Sequence, residues 1–239
     1  MFESLALPRG PGHLAVRLDE PVREGGIRMD VRIEAGASSL GSPSNRPLPT
    51  LASHVKTFEG DIEQILLSSD EIQRKIAETG EQLTRDYAGK DLLLVGVLKG
   101  AFVFMADLSR HINLPLEFDF MAVSSYGAAT QTSGVVRILK DLDHEINGRH
   151  VLVVEDIVDS GLTLSYLLKN LRTRKPATLE VCALMQKTGV QRVPLDIKYK
   201  LFEIPSVFVV GYGLDFSERF RNVPYVGTLR PEVYRDAVS

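Results

Sequence analysis

Between residues 151 and 163 an apolar run, Val151-Leu152-Val153-Val154, leads straight into Glu155-Asp156-Ile157-Val158-Asp159 and then Ser160-Gly161-Leu162-Thr163. Carboxylates at the end of a buried strand are costly unless they are paired, hydrogen-bonded or used. Gly161 can take backbone angles closed to other residues. Ser160, Thr163 and the free N–H groups of a helix start can surround a phosphate monoester in partial positive potential. Carboxylates beside such a cradle accept hydrogen bonds from ribose hydroxyls or hold magnesium through oxygen and water. Capping a helix takes one polar residue, whereas this turn carries five polar groups in nine positions. The pattern predicts a ribose-5-phosphate site, with the phosphate held by Ser160, Gly161, Leu162 and Thr163 and the sugar or a metal by Glu155 and Asp156.

The surrounding sequence supplies elements to position that turn. Ser69-Asp70 offers an N-cap, and Ile72, Ile76 and Leu83 fall on or near one helical face, which predicts a helix to about Tyr87. Leu92 to Val97 reads as a strand buried on both faces, with Leu98-Lys99-Gly100 as its turn and Ala101 to His111 as a helix. Leu116 to Val123 alternates as the next strand, completing a β-α-β unit. Ser124 to Gly134 is too poor in bulky side chains to pack and predicts a mobile loop. Val135 to Leu139, Val151 to Val154, Leu179 to Met185 and Val207 to Val210 read as further strands, and Thr163 to Arg172 as an amphipathic helix. Strands alternating with helices predict an α/β sheet whose ligands gather at the carboxyl ends of its strands.

Composition narrows the partners. The chain has 239 residues with 28 basic and 31 acidic side chains, a formal charge of −3, so no overall positive field exists to hold a nucleic acid or a membrane surface. Cys182 is the only cysteine, which fits a reducing cytoplasm. Residues 1–57 are rich in breakers, with Gly41 to Pro47 the densest stretch, and predict a disordered arm before a domain over 58–239.

Val153 to Leu164 resembles the phosphoribosyl pyrophosphate signature of the type I phosphoribosyltransferases. Three further segments narrow the resemblance to the hypoxanthine-guanine phosphoribosyltransferases. Leu98-Lys99-Gly100 is similar to the pyrophosphate loop, Ser124-Ser125-Tyr126-Gly127 to the start of the catalytic lid, and Phe202 to Pro205 with Val209 to Asp215 to the purine-binding end. The resemblance spans about Ile62 to Tyr234 and implies an α/β fold with a central, mostly parallel sheet flanked by helices, a small hood and a mobile lid loop. It implies a magnesium-dependent transfer of phosphoribosyl from phosphoribosyl pyrophosphate to hypoxanthine or guanine, in a cytoplasmic homo-oligomer, dimer or tetramer.

Position by position, the resemblance assigns Asp159 as the general base near N7 of the purine, and Glu155 and Asp156 as ribose and metal-water ligands. Lys99, preceded in the family by a peptide that is often cis, and Gly100 meet pyrophosphate, together with Arg221. Lys187 contacts the exocyclic O6, Phe208 stacks on the base, Val209 offers backbone groups to its edge, and Asp215, counted with these purine-binding residues, also holds a second magnesium bound to pyrophosphate. Ser125 and Tyr126 belong to the lid that keeps water from the reacting centre. Lys140 and Asp141 resemble a bacterial-type pair without an assigned role. Two other readings remain open from sequence: a phosphoribosyl pyrophosphate-sensing regulator of the same fold, and a transferase acting on xanthine or a pyrimidine.

Overall fold

The computed structural model describes residues 58, 60–125 and 136–236, so the arm expected over residues 1–57 and Tyr126 with the rest of the expected lid lie outside the described residues. Within them the chain runs β1 (Ile62–Leu67), α1 (Ser69–Asp86), β2 (Leu92–Leu98), α2 (Phe102–Arg110), β3 (Glu117–Ser125), β4 (Val136–Lys140) and β5 (His150–Val158). It continues through α3 (Leu162–Arg172), β6 (Thr178–Lys187), β7 (Tyr199–Ile204), β8 (Val226–Leu229) and α4 (Pro231–Asp236). Six strands form one sheet in the order β4-β3-β2-β5-β6-β7. All neighbours in it are parallel except β3 and β4.

The apolar run of β2 is explained by its place between β3 and β5, where both faces are covered. Leu92 and Leu94 pack with Ile72, Ile76, Phe104 and Leu108 of α1 and α2 on one face. Leu93, Val95 and Val97 pack with Leu164, Leu167, Leu168 and Leu171 of α3 on the other. Burying a Leu or Val completely is worth roughly 1.5–3 kcal/mol per side chain, so these two layers set the sheet's position firmly. α1 starts one residue earlier than the sequence suggests. Ser68 is its N-cap, with Oγ accepting from Glu71 N–H at 3.3 Å while the Glu71 carboxylate takes the Ser68 N–H at 2.9 Å, a reciprocal capping box.

Lys140 and Asp141 find structural partners. Asp119 on β3 is buried and accepts from the N–H groups of Phe120 and Asp143 at 2.7 and 2.8 Å and from Lys140 Nζ at 3.4 Å. Burial would raise this carboxyl, but those donors more than offset it and hold it below the usual range. Asp141 takes Arg174 Nη2 on both oxygens at 2.7 Å, fastening the chain after β4 to the loop after α3.

The hood expected from the resemblance is the antiparallel pair β1 and β8. It has its own cluster of Ile62, Val210, Phe220, Val223, Tyr225 and Leu229. One expected strand is corrected. Val207 to Val210 is an irregular segment whose only strand-like contact is the bridge from Val210 to Gly227, and the strand beside β6 is instead β7 at Tyr199–Ile204. A second correction concerns the expected opening of the loop at Ser124, since Ser124 and Ser125 end β3 opposite Arg137 and Val136.

Candidate active site

The parallel ladder between β5 and β6 does not stop at Val154. It continues through Glu155 opposite Ala183, Ile157 opposite Met185 and Val158 opposite Gln186, so the first two carboxylates stand on the strand itself. Glu155 is only 7% exposed, and among the described residues its carboxylate has no hydrogen-bond or ion-pair partner. Burial, with the neighbouring Asp156 adding to it, pushes its carboxyl well above the usual range. Burial likewise raises Asp156 to about 6. The Ile157 N–H at 2.9 Å and the Arg221 guanidinium work against that shift, while Asp215 adds to it.

Gly100 makes this placement of Asp156 possible. A Cβ on Gly100 would lie 1.6 Å from Asp156 Oδ2, so any side chain there would have to drive the carboxylate away. Gly161, at the end of the turn after β5, has φ of 79° and N-caps α3, and a Cβ there would also meet Leu195 Cδ1 at 2.6 Å. Ser160 Oγ sits 3.5 Å from the Leu162 N–H, and the helix begins at Leu162, one residue before the expected start. The Ser160–Thr163 turn therefore presents N–H groups and hydroxyls at the N-terminus of an eleven-residue helix, the arrangement that favours an anion.

Asp159 and Lys187, 28 positions apart in sequence, meet at 2.9 Å between Oδ2 and Nζ. Lys187 ends β6 and its side chain is 14% exposed, so its ammonium is held in a largely enclosed position next to an accessible carboxylate. On the turn after β2 the Leu98–Lys99 peptide is cis, as the resemblance leads one to expect. Lys99 Nζ pairs with Glu218 Oε2 at 2.9 Å. Arg221 pairs with Asp215 at 2.8 Å and with Glu218 at 3.3 Å through Nη2, and gives Nη1 to the Gly213 carbonyl at 2.8 Å. Its Nε is buried without a partner.

These groups enclose a cavity of about 330 Å³. Lys99, Gly100, Glu155, Asp156, Lys187, Asp215 and Arg221 line its polar part, and Phe208, Val209, Leu214 and Ile157 its apolar part. Phe208 is 46% exposed and makes edge-on contacts with Phe216 and Tyr234, centroids 5.9 Å away in each case, which leave its ring positioned as part of the wall. Asp159 joins this cavity through Lys187. Ser160, Gly161, Leu162 and Thr163 stand at the turn that follows and are not in its wall. Two participants carry no signal in the sequence pattern. Glu218 falls outside every motif, and the Gly213 carbonyl orients Arg221 through a main-chain atom that any residue would supply. Their only sequence hint is spacing, since Glu218 stands three residues from both Asp215 and Arg221.

The Phosphoribosyl transferase domain family matches residues 63–217. A hypoxanthine-guanine phosphoribosyltransferase of Mycobacterium avium is 54% identical over 192 residues, covering 78% of this chain and 95% of that protein. The chain belongs to the hypoxanthine-guanine phosphoribosyltransferase family. The Bacillus subtilis protein of that name is 51% identical over 73% of this chain and 97% of its own length. Among solved structures, a hypoxanthine phosphoribosyltransferase from Staphylococcus aureus superposes with a TM-score of 0.72 at 45% identity, covering 74% of this chain and 97% of that one.

Proposed function

We propose that this chain, a pentosyltransferase by family, transfers phosphoribosyl from phosphoribosyl pyrophosphate to N9 of hypoxanthine or guanine, giving IMP or GMP and pyrophosphate in purine salvage. The observation that carries this reading is the cavity itself. It joins two cations, Lys99 and Arg221, to the buried carboxyl of Glu155 and the half-buried one of Asp156, and to the enclosed ammonium of Lys187, with Phe208 in the same wall. The N9–C1′ bond forms as the bond from C1′ to the pyrophosphate oxygen breaks, and the electron pair leaves with pyrophosphate. Asp159 takes or shares the proton released from the base, and its contact with Lys187 fixes where that carboxylate stands.

Lys187 donates to O6, which favours oxopurines because adenine presents an amino donor there. Phe208 stacks on the ring and Val209 offers main-chain groups to its edge. Ser160, Gly161, Leu162 and Thr163 hold the 5′-phosphate, Lys99, Gly100 and Arg221 the diphosphate, and Glu155 and Asp156 the ribose hydroxyls. Ser125 and Tyr126 would act in the lid that keeps out water.

The reading also includes magnesium. The donors available, Glu155, Asp156 and Asp215, are all hard oxygens. Among the described residues no group of three or more acidic, His or Cys side chains is arranged to hold a metal ion. The two carboxyls of β5 are pushed up by burial with no cation in direct contact, so a nearby divalent charge would relieve them. When bound, the metal supplies neutralising charge to the departing diphosphate. No helix among the described residues is long and apolar enough to cross a membrane. We place the enzyme in the cytoplasm as a homo-oligomer acting on small molecules, with residues 58–239 as its transferase domain and 1–57 as an arm; the buried free thiol of Cys182 suits a reducing compartment.

The test is nucleotide formation from phosphoribosyl pyrophosphate and magnesium with hypoxanthine, guanine, xanthine, adenine and uracil in turn. Conversion of hypoxanthine or guanine is expected. Exclusive conversion of xanthine or uracil would replace the base assignment, and binding of phosphoribosyl pyrophosphate with no conversion of any base would replace the enzyme by a sensor.

A further inference from the structure

Lys99 and Arg221 converge on one carboxylate that no motif contains. Glu218 Oε2 accepts from Lys99 Nζ at 2.9 Å and from Arg221 Nη2 at 3.3 Å. The first contact spans 119 positions of sequence, so it is made by the fold and not by a local turn. The backbone is set to make it. Glu218 has φ of 62°, and its N–H is held by Asp215 Oδ2 at 2.9 Å, which aims the side chain back over the turn after β2.

The guanidinium of Arg221 shows what this carboxylate occupies. Nε and Nη2 form one edge of the group, the edge that grips two oxygens of a phosphate side by side. Nε is buried without a partner, while Nη2 is divided between Asp215 and Glu218. Lys99 and Glu218 are 66% and 65% exposed, so the bridge is made in water and is easily exchanged for a stronger anion. Contact with both cations holds the Glu218 carboxyl below its usual range, Lys99 contributing most, so it stays charged wherever the enzyme would work.

Resting on the proposed reaction, we propose that Glu218 is the internal competitor of the diphosphate. It shares Lys99 and Arg221 with the phosphoribosyl donor, and its displacement sets how tightly donor and pyrophosphate bind. A built-in anion of this kind keeps both cations near their working positions while weakening product retention, because pyrophosphate must hold its place against a tethered carboxylate.

Calorimetric titration of the full chain with pyrophosphate and magnesium tests this, using wild type, Glu218→Gln and, as a control for net charge, Glu78→Gln on α1. Glu218→Gln is expected to lower the dissociation constant of pyrophosphate and the KM for phosphoribosyl pyrophosphate by about threefold or more, the scale that one exposed and one half-exposed ion pair allow. The KM for hypoxanthine should stay at the wild-type value, as should every parameter of Glu78→Gln. Unchanged pyrophosphate binding in Glu218→Gln would reduce Glu218 to a solvated surface partner. Weaker binding would make it a support for the cations. Either result overturns the proposal while leaving the reaction intact. A wild-type chain that neither binds pyrophosphate nor forms nucleotide would instead overturn the reaction, and the proposal with it.

Discussion

On the β5 side of the cavity Glu155 and Asp156 are enclosed by protein with no cation in salt-bridge contact among the described residues, whereas Lys99, Lys187 and Arg221 each already hold a carboxylate. The two groups of charges therefore carry different costs. A buried carboxyl without a counter-ion is unfavourable in the folded protein at neutral pH, and this shows as the upward shifts of both groups. The Lys99–Glu218 pair, exposed on both sides, costs little to make and little to break. Strain of the first kind is sensible only where a ligand will supply the missing charge or hydrogen bonds. The second kind permits exchange, and on the proposed reading the contrast separates residues that define the site from residues that adjust its affinity.

The largest effect should follow from Asp156→Asn, which removes the unpaired charge while keeping the side chain's shape. Its kcat/KM should fall roughly 100-fold or more, as for the loss of a preorganised electrostatic contact. Its stability without substrate should rise near pH 7.5, by at most about 3 kcal/mol for a carboxyl moved from an ordinary value to about 6. Urea unfolding and steady-state rates on the same preparation check both. A variant that loses stability as well as activity would contradict the buried-charge reading.

The wild-type pH profile sharpens the same point. Both folded-state values are raised, so the folded chain binds these protons more tightly than the unfolded chain. The contribution to stability is complete below about pH 4 and declines as pH rises through about 6 for Asp156 and further for Glu155. Denaturant midpoints measured at intervals from pH 4 to 8, compared between wild type and Asp156→Asn, should converge near pH 4, move apart as pH rises to about 6 and keep a constant gap above it.

A smaller loss is expected from Lys187→Gln, where the proposed charged hydrogen bond to O6 would become a neutral one. The KM for hypoxanthine should rise about tenfold while that for phosphoribosyl pyrophosphate changes little. An equal change in both would mean that Lys187 acts mainly by holding Asp159.

Much of this was legible before any coordinates. The uninterrupted apolar run of β2 and the carboxylates and Gly161 after Val154 located the sheet and its working edge, because burial on both faces and a phosphate-type turn leave direct marks in residue type. β1 and β8 were not legible. Val226-Gly227-Thr228-Leu229 is too short to show a period, and its pairing with β1 joins segments at the two ends of the domain. β7 carries a signal, since Tyr199, Leu201 and Ile204 are buried and Lys200 and Glu203 are not, but the denser apolar run of Val207 to Val210 outweighs it. That run is apolar because Val209 and Val210 are buried beside the cavity and under the hood, and neither role requires a ladder. Glu218 was invisible for a different reason. An exposed Glu is the least informative residue a sequence offers, and only the fold places it against Lys99.

The most direct measurement is the single-turnover rate of IMP formation by wild type and Asp159→Asn, with enzyme in excess over phosphoribosyl pyrophosphate and with saturating magnesium and hypoxanthine. If the Asp159 carboxylate takes the proton from the base, the variant should be slower by roughly 100-fold or more with little change in affinity for either substrate. A variant that forms IMP at the wild-type rate would contradict the role of Asp159 and return the Asp159–Lys187 contact to a structural one.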